Sequence, residues 1–70
     1  MIATDPRHIT ADLAIAIIAW QTNNQLRITQ DQLRQWASRN HITRIGLDER
    51  GRTIYDLGSI LRYLRKRGLT

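Results

Sequence analysis

The side chains best equipped for chemistry in this chain are its arginines. Of its eleven Lys and Arg residues, only Lys66 is a lysine. A guanidinium offers a planar fork of donors that matches phosphate oxygens and the edge of guanine. The charge is also unevenly placed. Residues 1–26 carry Arg7 against Asp5 and Asp12, a net of −1, whereas residues 27–70 carry ten basic groups against Asp31, Asp48, Glu49 and Asp56, a net of +6. A basic C-terminal two-thirds is the footprint expected of a polyanion partner. An arginine-rich soluble surface with no such partner accounts for the charge alone equally well.

No catalytic constellation stands beside the arginines. His8 and His41 fall in different predicted elements, cysteine is absent, and no two carboxylates share a metal-ligand spacing. His41 reads as a cap or surface group, and Asp48-Glu49 as a charged loop pair. Gly46 and Gly51 serve a turn rather than a phosphate-binding loop. The expectation is a protein that is not an enzyme and uses no metal or cofactor.

These residues need a scaffold, and 70 residues allow one small domain. Without cysteine it must be held by packed apolar side chains, by a second subunit or by a ligand. The longest apolar stretch, residues 13–20, is far short of the ~20 residues of a membrane span. No signal peptide is legible at the N-terminus, so the expected location is the cytoplasm, with no membrane partner. Residues 1–8 lack periodicity and read as a flexible arm, leaving residues 9–70 as the domain.

Along that domain, residues 9–23 read as a first helix, with Thr10 as N-cap and Asp12 in the first turn. Leu13, Ala16, Ile17 and Trp20 recur at helical spacing and are expected to face the core. Ile15 and Ile18 then fall on the other side, either covered by the rest of the domain or forming a dimer contact. Thr22-Asn23-Asn24-Gln25 is a polar turn. Thr29 followed three residues later by Gln32 is a capping box, and Ile28 with Leu33 forms a hydrophobic staple. A second helix therefore starts at Gln30, buries Leu33, Trp36 and Ala37, and stops near Asn40. Residues 41–45 and 52–55 read as two strands joined by a loop bounded by Gly46 and Gly51. Asp56 is placed as the cap of a third helix whose Leu57, Ile60, Leu61 and Leu64 share one face. Arg65, Lys66 and Arg67 suit the dipole of its last turn before Gly68. The predicted fold is mainly α with a small β-hairpin: a winged helix-turn-helix of three helices and a two-stranded wing.

Residues 28–64 resemble the DNA-binding domains of the MerR-like and excisionase-like winged-helix superfamily. The resemblance rests on Ile28-Thr29-x-x-x-Leu33-Arg34-x-Trp36, on Ile42, on Gly51-Arg52-Thr53-Ile54-Tyr55, and on Asp56-Leu57-x-x-Ile60. The turn between the first two helices is longer than in that group and lacks glycine. The chain looks most like the minimal members, which are phage or plasmid excisionases and small transcription regulators. The resemblance implies sequence-specific binding of double-stranded DNA.

The residues themselves fit that expectation. Gln30, Asp31, Arg34, Gln35, Ser38 and Arg39 are left on the solvent face of the second helix, where a recognition helix meets base edges. Gln30 and Gln35 suit adenine, and Arg34 suits guanine or a phosphate. Asp31 suits cytosine, or serves to hold Arg34 or Arg27. Arg44, Arg50 and Arg52 lie on the wing, where an arginine enters a minor groove or holds a phosphate. Thr29 and the free amides after it form a phosphate site. Expected partners are duplex DNA, a second copy or a tandem array on DNA, and a recombinase or polymerase. The alternative is a protein–protein interaction module on the same scaffold, which the over-apolar first helix favours.

Overall fold

A computed structural model describes residues 7–69. Its elements run β1 (His8–Thr10), α1 (Ala11–Gln21), α2 (Gln30–Ser38), β2 (Arg44–Leu47), β3 (Thr53–Asp56) and α3 (Leu57–Lys66). Three helices therefore pack with an antiparallel sheet of three strands in the order β1-β3-β2, one strand more than expected. Residues 1–6 of the expected arm lie outside the described residues. His8 does not belong to an arm: it opens β1 and pairs with Asp56, as Ile9 does with Tyr55 and Thr10 with Ile54.

Helix boundaries follow from side-chain and backbone chemistry. The Thr10 hydroxyl accepts from the Leu13 amide and starts α1, two residues later than expected from Ile9. The Thr29 hydroxyl accepts from the Gln32 amide at 3.2 Å, and the Gln32 side chain accepts from the Thr29 amide at 3.0 Å. Two of the amides that a helix start leaves without partners are thus satisfied. At the end of α2, Asn40 takes the left-handed conformation (φ 62°). The amides of Asn40 and His41 then return to the carbonyls of Ala37 and Trp36, which closes the helix in a Schellman motif. The Asp56 side chain, expected to cap α3, makes no capping hydrogen bond. Buried Ser59 ties this corner instead, donating to the Asp56 carbonyl at 2.7 Å and accepting from the Thr43 amide at 2.9 Å.

The core gathers Ile9, Ala14, Ile18, Ile28, Leu33, Ile42, Tyr55, Ile60 and Leu64. Leu33 is fully buried as expected, with Trp36 and Ala37 half-buried against the same cluster. The orientation of α1 is the main correction. Ile18 is completely buried and Ile15 packs against the core, so the expected dimer contact through this pair is not available. Of the four residues expected inside, Ile17 is half-buried against the core, whereas Leu13 and Trp20 are 49% and 75% exposed and Ala16 is exposed as well. Residues Ala14, Ile15 and Ile18 are as apolar as Leu13, Ala16, Ile17 and Trp20, so periodicity cannot choose between the two faces of α1. Packing decides. α1 meets β1, β3, α2 and α3 at once, and that crowded side takes Ala14 and Ile18, with Ile15 and Ile17 half-buried beside them, rather than an indole.

Among the described residues, no helix is long and apolar enough to cross a membrane.

Candidate nucleic-acid interface

The exposed flank of α2 carries Gln30, Asp31, Arg34, Gln35 and Ser38, and Arg39 follows at the helix end. Burial of Leu33 on the opposite flank fixes which way they point. Arg34, Ala37 and Ser38 of this flank face Arg44 of β2 and Thr53 of β3 across an open cleft of about 540 Å³. A neighbouring groove of about 400 Å³ continues along α2 past Asp31, Arg34, Gln35 and Ser38. At the other end of the helix, Gln30 shares a smaller depression with Arg52, Thr53, Gly51 and the start of α1. Thr53 borders both clefts, so it links the surface that holds Arg34 and Arg44 to the one that holds Arg52.

The sheet makes this meeting possible. Arg44 pairs with Tyr55 and Leu47 with Thr53, with a bulge between Arg44 and Gly46. A bulge bends its strand and re-aims the residues around it. The strands also run further than predicted, with β2 reaching Leu47 and the connection narrowed to residues 48–52. Asp48 organises that connection. Its carboxylate accepts from the amides of Arg50 (2.9 Å) and Arg52 (2.8 Å) and from Nε of Arg52 (2.8 Å). The Gly51 amide donates to the Asp48 carbonyl, and Gly51 takes a φ of 78° that suits glycine. The hydrogen bond from the Arg52 amide is the largest influence holding the Asp48 carboxyl below its ordinary range, and desolvation opposes it.

Two acidic residues of the surface are paired with its arginines. Asp31 forms an ion pair with Arg34 one turn along α2, and Asp48 one with Arg52. Of the two alternatives open for Asp31, the contact is to Arg34. Gln30 is tied back to α1, donating from Nε2 to Oδ1 of Asp12 at 2.8 Å. Burial raises the pKa of the Tyr55 hydroxyl, while the positive charges of Arg44 and Arg34 pull it down. Both guanidiniums therefore act on one core side chain from the same cleft.

Not every expected residue joins this surface. Thr29 and Arg39 are exposed but border none of these depressions. Arg50 faces a separate hollow on the hairpin with Leu47, Glu49 and Arg52. Arg67, in the basic end of α3, lies over the rings of Trp36 (5.9 Å) and Tyr63 (5.5 Å). His41 stacks on Tyr63 at 4.7 Å. Thr53 and Asp48 were not singled out as site residues from the sequence. The signal for Asp48 is present, since aspartate at the first position of a turn with glycine at the fourth is a standard turn signature. Thr53 carries no such signal, because its place depends on strand register.

Among the described residues, no group of three or more His, Cys, Asp or Glu side chains could hold a metal ion. No family model matches this chain, and no curated protein or solved structure matches it either.

Proposed function

We propose that this chain binds double-stranded DNA as a winged helix-turn-helix module, with α2 as recognition helix and the β2–β3 hairpin as wing. It acts as a small transcription regulator or as a recombination directionality factor, with a polymerase or a recombinase as the respective protein partner. The observation that carries the reading is the cleft shared by Arg34 and Ser38 of α2 and Arg44 of β2. It sets cationic forks from two elements along one surface. α2 has nine residues and is about 14 Å long at 1.5 Å per residue, on the scale of a major groove about 12 Å wide. Arg34, Gln35 and Ser38 are then the base-edge readers. Arg39, Arg44, Arg50 and Arg52 are phosphate or minor-groove contacts, and Thr29 with the first amides of α2 forms a phosphate site. Gln30 reads a base only by leaving Asp12.

The test is selection of bound duplexes from a random pool at several salt concentrations. If Arg39, Arg44, Arg50 and Arg52 each neutralise a phosphate, the slope of log affinity against log salt is about −3 to −4, and about −1 steeper if Arg34 takes a phosphate in place of a base edge. Arg34→Ala and Arg44→Ala are expected to abolish retention with folding intact. Absence of both an enriched motif and a salt dependence would refute the proposal.

A further inference from the structure

Behind α2 lies a second cationic hollow. Trp36 is two residues from both Arg34 and Ser38, about 200° around the helix at 3.6 residues per turn, and so on the opposite side from them. There its ring meets Tyr63 of α3 edge-on at 4.8 Å. His41 stacks on Tyr63 within 9° of parallel, and the Arg67 guanidinium lies over both Trp36 and Tyr63. These contacts brace one wall of an open hollow of about 370 Å³. Arg62, Tyr63 and Lys66 line it from α3, and Asn40, His41 and Thr43 from the α2–β2 connection. That connection is a ridge, because Ser38 and Arg44 at its two ends border the proposed DNA-reading cleft instead. We propose that the hollow docks an acidic segment of a partner protein, an extended stretch with carboxylates at alternate positions.

Charge, spacing and direction favour this occupant. No acidic side chain lines the hollow. Arg34 and Arg52 are held by aspartates and Arg67 lies on aromatic rings. Among the described residues, exposed Arg62 and Lys66 have no ion pair and no side-chain hydrogen bond, so their donors are open to a ligand. The two are four residues apart on α3, about 6 Å along its axis at 1.5 Å per residue. Side chains on one face of an extended segment recur every second residue, about 6.6 Å apart at 3.3 Å per residue. Alternate carboxylates therefore meet Arg62 and Lys66 in turn, and the Asn40 amide and Thr43 hydroxyl supply further donors. A duplex lying along Arg34 and Ser38 is on the far side of α2, so the hollow stays open beside it. A second copy fits less well: it brings a charge of +5, and its Asp31 and Asp48 are already paired. Joint occupation with DNA rests on the proposed function, whereas docking of the acidic segment does not.

The probe is a short synthetic peptide with aspartate at alternate positions, compared with its asparagine counterpart at physiological salt. Amide chemical shifts of the full chain follow each titration. The aspartate peptide is expected to move Asn40, His41, Thr43, Tyr63 and Lys66, and the asparagine peptide none of them. Arg62→Gln and Lys66→Gln are each expected to weaken binding about fivefold. Arg65→Gln removes the same charge from the same helix but does not border the hollow. It should leave affinity within about twofold. The amides of Ile18 and Leu64, both in the core, should keep their shifts in all three variants. A duplex added separately should move Arg34, Ser38 and Arg44 and leave the hollow unmoved. A peptide that shifts nothing at millimolar concentration would overturn the docking site. So would equal shifts on the reading flank, or an equal loss in Arg65→Gln, since either reduces the contact to net charge. Duplex-induced shifts at Asn40, His41 and Thr43 would assign the hollow to nucleic acid instead. A duplex that moves no amide, beside a peptide that moves the hollow, refutes the proposed function and supports the docking site.

Discussion

Replacing Ile18 with alanine and, separately, Trp20 with alanine tests which face of α1 holds the domain together. Ile18 is fully buried among the core residues. The change removes three carbon groups at about 0.8 kcal/mol each, and the partly relaxed cavity adds to that. The sum is about 3–4 kcal/mol, inside the 2–5 kcal/mol range of such truncations. A chain of 70 residues is stable by roughly 4–10 kcal/mol, so about a third or more of that margin is lost. Trp20 is the larger side chain but only a quarter of it is covered. About 60 Å² at 25 cal/mol/Å² gives at most ~1.5 kcal/mol, and alanine's better helix propensity offsets about 0.5 kcal/mol of it. The expected ratio is thus three to one or more in favour of Ile18, opposite to what residue size implies. Urea unfolding followed by far-ultraviolet circular dichroism measures both values. If Trp20→Ala destabilises as much as Ile18→Ala, α1 packs on the face that periodicity pointed to, and its orientation here is wrong.

Two further perturbations probe the elements that hold the arginines. Thr29→Ala removes the hydroxyl of the capping box and is expected to cost about 1 kcal/mol, a fall in melting temperature of roughly 4–8 °C for a domain of this size. DNA affinity should fall with it, and an unchanged melt would show that α2 does not depend on its cap. For Asp48, the pKa is lowered on folding, so its contribution is present above the unfolded value near 3.8 and is lost as pH falls through the depressed folded value. The Arg50 and Arg52 amides should therefore keep their chemical shifts from neutral pH down to about 4 and move only below it. Movement at pH 5–6 would mean that the carboxylate does not hold the turn.

What the sequence revealed was local chemistry, and what it concealed was non-local packing. Thr29 and Gln32 disclose the start of α2 because both bonds of the capping box span three residues. Asn40 discloses its end because few side chains tolerate a positive φ. Leu57, Ile60 and Leu64 disclose the inner face of α3, because most of its other residues are polar or basic; Leu61, expected on that face, is only half-buried and lies outside the core cluster, while Ser59 and Tyr63 join the face. β1 was illegible. It has three residues, and its partner β3 lies more than forty positions away, so nothing local marks it as a strand. The facing of α1 was hidden for a different reason: an apolar surface all round carries no phase for periodicity to read. At the site, the types of the residues were legible but not their neighbours. That Arg34 would meet Arg44 rather than Arg52 depends on the bulge before Gly46 and on which residue of β3 lies beside α2.

The two acid–arginine pairs on the proposed reading surface bear on how discriminating it would be. Arg34 is held by Asp31 and Arg52 by Asp48, all in exposed or half-exposed positions. Exposed ion pairs contribute little to folding, so stability does not explain them. They act on the arginines instead. A guanidinium paired on one edge retains its other donors and loses rotamer freedom, so it meets a base or phosphate in a restricted orientation. The carboxylate also repels any phosphate that approaches from its own side. A bare cationic surface attracts every duplex through counterion release, whatever its sequence. Placing Asp31 beside Arg34 and Asp48 beside Arg52 weakens that general attraction while leaving bidentate contacts open. The expected signature is therefore asymmetric. Asp31→Asn should raise affinity for random duplex more than affinity for the selected site, narrowing the ratio between them. An equal gain on both would mean that Asp31 only lowers the net charge of the surface.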